Sequence, residues 1–206
     1  MFIRNLISII KAYRFLFIKI FVYEIFYILI GFKGNNINLK KDNRLTDNIP
    51  CPYYFLKKIE LFLKNKNFKF LIDLGCGSGR SIYFFNKKLK MDFVGIEYFK
   101  ENYLKSKKIF ENYQNIKIIN DDFMSFDFLK FNCDCYFIND PLRNLEEYNK
   151  LILKIIEKNE QSNKVVYFIL INIGKDKHKI FNKYRLLENL TINDRGYSIY
   201  SSEEKK

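Results

Sequence analysis

FKFLIDLGCGSGR (residues 68–80) decides how the rest of the chain is read. An apolar run, 68–75, has the length and composition of a buried strand. It ends in an acid, Asp73, and then in a glycine loop, Gly75-Cys76-Gly77-Ser78-Gly79, that opens a helix over 78–89. Glycines at such a strand-to-helix turn allow a tight bend and let a ligand approach the backbone closely. Alone, this loop suits a nicotinamide or flavin dinucleotide as well as a nucleoside. Two details point away from the dinucleotides. The spacing is G-x-G-x-G, and the carboxylate of Asp73 would repel a pyrophosphate while accepting a hydrogen bond from a ligand ammonium group.

Outward from the loop, strands and helices alternate. Strands are expected over 91–98, 115–121, 131–140 and 164–173, and helices over 50–65, 100–113 and 144–159. The end, 184–202, reads as two strands around an Asp-Arg-Gly turn. Alternation of this kind means a doubly wound α/β sheet, mostly parallel and covered on both faces, with an antiparallel hairpin closing it. The second strand ends in Glu97, followed by Tyr98, where a carboxylate accepts both hydroxyls of a ribose. The third ends in Asp121-Asp122-Phe123, where an acid takes an exocyclic amine and the aromatic flanks a purine. The fourth ends in Asn139-Asp140-Pro141-Leu142. Ligands on open α/β sheets bind beyond the carboxyl ends of the strands, so four acid-tipped strands in a row point to one site.

These residues resemble the class I S-adenosylmethionine-dependent methyltransferases over about residues 50–202. The resemblance implies a Rossmann-like seven-stranded fold with S-adenosylmethionine as cofactor. FLIDLGCGSGR looks like the family's first motif, with Asp73 at the methionine end and Gly75, Cys76, Gly77 and Gly79 passing under the cofactor. Glu97 with Tyr98 looks like the ribose site, and Asp122, or Asp121 one position away, like the acid that holds the adenine amine beside Phe123. Asp140-Pro141-Leu142 is similar to the Asn-Pro-Phe of small bacterial members that carry an arginine after the loop, as Arg80 does here. Those members have a Pro/Tyr stretch like 50–54, which would fold Tyr53 over the cofactor. Asn139 and Asp140 are the implied catalytic residues, and a protein or small-molecule amine is the implied acceptor. The outline is also similar to protein-lysine methyltransferases with an N-terminal membrane segment. Leu142 stands where adenine methylases carry an aromatic, which weakens a nucleic-acid-base acceptor.

The remaining chain divides into an apolar helix (1–33), a polar linker (34–49) and the domain (50–206). On a helical wheel, Arg4, Ser8, Lys11, Arg14 and Lys19 share one face against a Phe/Ile/Leu face. That pattern fits a membrane-interface helix, a tilted span, or a helix docked on its own domain or on a partner. The net charge of +13 attracts nucleic acid or an anionic membrane, although no nucleic-acid motif accompanies it. The same excess of Lys, Asn, Ile, Phe and Tyr also arises from AT-rich codon choice. Cys51, Cys76, Cys133 and Cys135 form no CxxC pair, and with one histidine no metal is expected. They read as buried apolar residues of a reducing compartment, which places the chain in the cytoplasm or on the cytoplasmic face of a membrane. A non-catalytic module binding membrane or RNA, and a nicotinamide-dependent oxidoreductase, are the other function classes.

Overall fold

A computed structural model describes residues 16–32, 44–46, 49–161, 164–192 and 195–204. Seven strands form one sheet: β1 (Phe70–Leu74), β2 (Asp92–Glu97), β3 (Ile116–Asn120), β4 (Cys135–Asn139), β5 (Tyr167–Ile171), β6 (Tyr184–Ile192) and β7 (Arg195–Glu204). Their spatial order is β3-β2-β1-β4-β5-β7-β6. The first five are parallel, and β7 runs antiparallel to both β5 and β6. The expected fold class is therefore the observed one. Strand order reverses between β1 and β4, and this switch point opens a crevice at their carboxyl ends.

Helices cover both faces. They are α1 (Phe17–Leu29), α2 (Tyr53–Lys66), α3 (Arg80–Asn86), α4 (Lys100–Phe110), α5 (Leu145–Glu160) and the one-turn α6 (Lys175–His178). The period of two along each strand sorts its side chains between two cores. Leu71, Phe93, Cys135 and Phe137 join the core that holds Phe55, Leu56 and Phe84. Ile72, Val94, Tyr136 and Ile138 join the core that holds Leu151, Ile152 and Ile155 of α5. Continuing the first set upward places Asp73, Glu97 and Asn139 on one face of the sheet. Three polar strand tips thus converge because they share parity with buried apolar residues.

Strand β4 begins at Cys135 rather than at 131. Just before it, the Asp134 carboxylate accepts from the backbone amides of Lys69 and Phe70, at 2.7 and 2.9 Å. Helix α1 docks on the domain through Ile20 and Tyr27, both buried. Tyr23 packs edge-on against Tyr54, and the Glu24 carboxylate accepts from the Tyr53 amide at 2.8 Å. Residues 1–15, most of the expected linker and the Asn193-Asp194 part of the last turn lie outside the described residues. Among the described residues, no helix is long and apolar enough to cross a membrane.

Candidate functional site

The loop after β1 is held from below. The amides of Gly75 and Cys76 both donate to the Ile96 carbonyl of β2, at 2.9 and 3.1 Å. Gly79 closes the turn by donating to the Cys76 carbonyl at 2.8 Å. Gly79 has φ +87°, and an added Cβ would lie 2.4 Å from the Phe110 ring of α4. Gly75 has φ +79°, with Pro141 directly above it. Any other residue at either position would hold a left-handed backbone under strain.

Two buried carboxyls flank this loop. Asp73 is 1% exposed and accepts from the Ser81 hydroxyl of α3. Burial pushes its carboxyl up to about 7, with Ser81 opposing and the Glu97 carboxylate adding to the rise. Glu97 is 4% exposed; its two oxygens accept from the Gly77 and Phe99 amides, each at 2.8 Å. An ionised carboxylate has about four acceptor positions, enough to serve backbone amides and ligand hydroxyls together. The Cys76 side chain faces the core, its Sγ 2.7 Å from where a Cβ on Gly95 would stand. Burial, then Asp73 and Glu97, push its thiol well up, which disfavours the thiolate, and the residue also lines a cavity with Asp73 and Ser81.

Three cavities meet at Asn139. The first, about 50 Å³, is lined by Glu97, Tyr98, Asn102 and Phe123. The second, about 20 Å³, is lined by Asp73, Ser78, Arg80 and Ser81. The third, about 180 Å³, is lined by Asp140, Arg143, Asn172 and Arg195. Asn139 lines all three, and Gly75 lines the first two.

The expected acids do not all face this crevice. Asp122 is taken by Arg44, whose two terminal nitrogens reach its two oxygens at 2.8 and 3.0 Å. Burial would raise the Asp122 carboxyl, but the Arg44 guanidinium and the Met124 amide outweigh it and hold it below the usual carboxylate range. The Asp121 carboxylate caps its neighbour by accepting from the Asp122 amide. Asp140 has φ +38°; its carboxylate pairs with Lys177 of α6 and its carbonyl accepts from the Thr46 hydroxyl. Tyr53 departs most from the lid expected of it. It is fully buried among Tyr27, Phe32 and Phe84, with the Arg80 guanidinium 4.1 Å from its ring centre, and lines none of the three cavities. Its ring is drawn under α1 because aromatic partners wait there on three sides.

The cover comes instead from a stretch read as linker. Leu45 forms an antiparallel bridge with Leu142, Thr46 donates to the Pro141 carbonyl at 3.3 Å, and Asn139 Nδ2 donates to the Ile49 carbonyl at 2.7 Å. This strap roofs the first cavity. Leu45, Thr46 and Ile49 of this strap line that cavity beside Glu97 and Phe123. The Arg44–Asp122 pair is its latch. With both partners about 30% exposed, it contributes roughly 1 kcal/mol. Arg44→Ala is expected to speed hydrogen exchange of the Thr46 amide about fivefold, with core amides of β4 unchanged. An unaltered Thr46 rate would mean the latch holds nothing.

No protein-family model matches the sequence, and no curated protein matches it. The fold does match solved structures. A Staphylococcus aureus protein assigned as a caffeoyl-CoA O-methyltransferase superposes with a TM-score of 0.58 at 14% identity, over 88% of this chain and 90% of that one. The Podospora anserina methyltransferase PaMTH1, solved with S-adenosylhomocysteine, gives 0.57 at 13% identity, over 76% and 80%. An RNA methyltransferase from Salinibacter ruber, also with S-adenosylhomocysteine, gives 0.54 at 15% identity, over 74% and 92%. The chain has the Rossmann-like fold of the class I S-adenosylmethionine-dependent methyltransferases.

Proposed function

We propose that this protein is a methyltransferase that uses S-adenosylmethionine. The observation that carries the reading is the pair of buried carboxyls, Asp73 and Glu97, on adjoining strand tips astride the glycine loop. Burying two acids side by side costs stability unless a ligand repays it. Their chemistry fits the cofactor's groups. Asp73 suits the methionine ammonium, Glu97 suits the ribose hydroxyls, and Phe99 and Phe123 wall the cavity where a purine would lie. When bound, S-adenosylmethionine supplies a methyl group already activated on a sulfonium.

The chain's own work is then binding, alignment and exclusion of water. Asp73 holds the cationic end, and its ionised form is the one that binds. The strap over Pro141 screens the crevice from water. Asn139, at the meeting of all three cavities, orients the acceptor that enters from the third. Asp140, with Lys177 on its carboxylate, positions the Asn139 turn. An amine acceptor must arrive neutral to attack, and a closed, partly apolar crevice favours its neutral form.

The test is incubation of the protein with methyl-labelled cofactor and fractionated cell lysate. A fraction that takes up label, and fails to do so with Asp73→Asn, supports the reading; uptake in none, with the cofactor bound, makes the chain a non-catalytic binding module. With a labelled fraction in hand, Asn139→Ala is expected to lower turnover about a hundredfold while cofactor affinity changes only severalfold. Equal losses in both would make Asn139 a cofactor ligand alone.

A further inference from the structure

Helix α1 spends little of its apolar surface on its own domain. Ile20, Tyr23, Glu24 and Tyr27, at helical spacing, face inward. The rest of its circumference stays in the open. Ile18 is 70% exposed, Val22 55%, Phe26 53%, Ile28 52% and Leu29 79%, and Phe21, Ile25 and Ile30 continue the patch. Eight large apolar side chains in thirteen consecutive positions are far more than scattered surface leucines.

The charges around the patch identify its occupant. Lys19 stands exposed near the start of α1. Lys58 of α2 lies 6.0 Å from the Tyr54 ring, which packs on Tyr23 midway along the helix. Lys88 lies 6.0 Å from the Phe32 ring, just past its end. None of these three makes an ion pair among the described residues. Acids near the helix are already engaged, Glu24 by Arg80 and Glu60 by Lys57. The sequence from 1 to 23 holds Arg4, Lys11, Arg14 and Lys19 and not one acidic residue. A second copy of the chain is a poor occupant, because a two-fold seam would set this lysine border against itself.

We propose that the outer face of α1 inserts into the interface of an anionic phospholipid bilayer, lying in its plane with the lysines on the headgroups. The inference is independent of the methyltransferase reading.

Flotation of the full chain tests it, with vesicles of phosphatidylcholine alone and vesicles containing about one-third phosphatidylglycerol. The protein is expected to float with the anionic vesicles at least tenfold more than with the neutral ones. The double variant Ile25→Asn/Leu29→Asn leaves the +13 charge in place and should lose at least tenfold of that binding. Lys58→Glu/Lys88→Glu should lose a comparable amount. Both pairs are on the surface, and an unchanged Tm verifies their folding. No flotation overturns the proposal. So does flotation unaffected by the Asn variant, which is charge attraction alone. A concentration-dependent dimer that the Asn variant dissociates also overturns it, since the face is then a seam between copies.

Discussion

Asp73→Asn is expected to weaken S-adenosylmethionine binding by about 10- to 150-fold while making the ligand-free protein more stable. The two effects share one cause. A charge-assisted hydrogen bond to a bound ammonium is worth roughly 1.5–3 kcal/mol, which sets the loss of affinity. In the free protein, the same carboxyl is buried beside Glu97 and holds its proton up to about pH 7. Between the ordinary carboxyl value of 3.8 and about 7, the folded chain keeps a proton that the unfolded chain has released. Stability from this group is therefore complete at low pH, falls as pH rises through that window, and levels off above it, by a few kcal/mol on order of magnitude. Asparagine removes that cost at neutral pH and above. Cofactor affinity runs in the opposite direction. The ionised form binds, so the wild-type affinity falls by up to tenfold per unit as pH drops below about 7, and the variant's does not. Titration calorimetry across this range, paired with thermal melts, reads both signs. A stabilised variant that binds as tightly as wild type would remove Asp73 from the site.

Gly79→Ala is expected to cost about 2–4 kcal/mol of stability, a fall in Tm of roughly 5–15 °C. A left-handed φ of +87° accounts for part of it. The rest is a Cβ placed 2.4 Å from the Phe110 ring, which is 4% exposed and boxed in by Tyr83 and Tyr113. Trimming the obstacle tests the cause. Phe110→Leu in the Gly79→Ala background should recover the overpacking part and leave the backbone strain, a coupling of about 1 kcal/mol or more in a double-mutant cycle. Simple additivity would show that the ring and the new methyl group never meet.

Apolar runs alternating with helical segments made the sheet legible from residue types alone. The acids at 73 and 97 and the amide at 139 share parity with Leu71, Phe93 and Phe137, so strand assignment sufficed to bring them together. The Asp121-Asp122 pair shows where such reading stops. Both acids stand one or two positions past β3, and only a distant arginine, 78 residues earlier, decides what Asp122 does. Nothing in the polarity of 34–49 marks Arg44 or Leu45 as parts of a roof, because a strap tied down by one isolated bridge, scattered hydrogen bonds and an ion pair has no periodic pattern. Tyr53 has the composition of a lid but the neighbours of a core residue, and they come from separate segments: Tyr27 of α1, Phe32 just past it, and Phe84 of α3, with α1 docked through Glu24 meeting Arg80 at 2.6 Å. Asn102, 1% exposed on the first cavity's wall, had a usable signal: it sits in the first turn of the helix that follows the Glu97 strand.

Isothermal titration of the full chain with S-adenosylmethionine, at a pH above the Asp73 value of about 7, tests the central claim most directly. A single saturable site, sharply weakened in both Asp73→Asn and Glu97→Gln, is the predicted result. Absence of binding by the folded wild-type protein, or affinity indifferent to both substitutions, would contradict it.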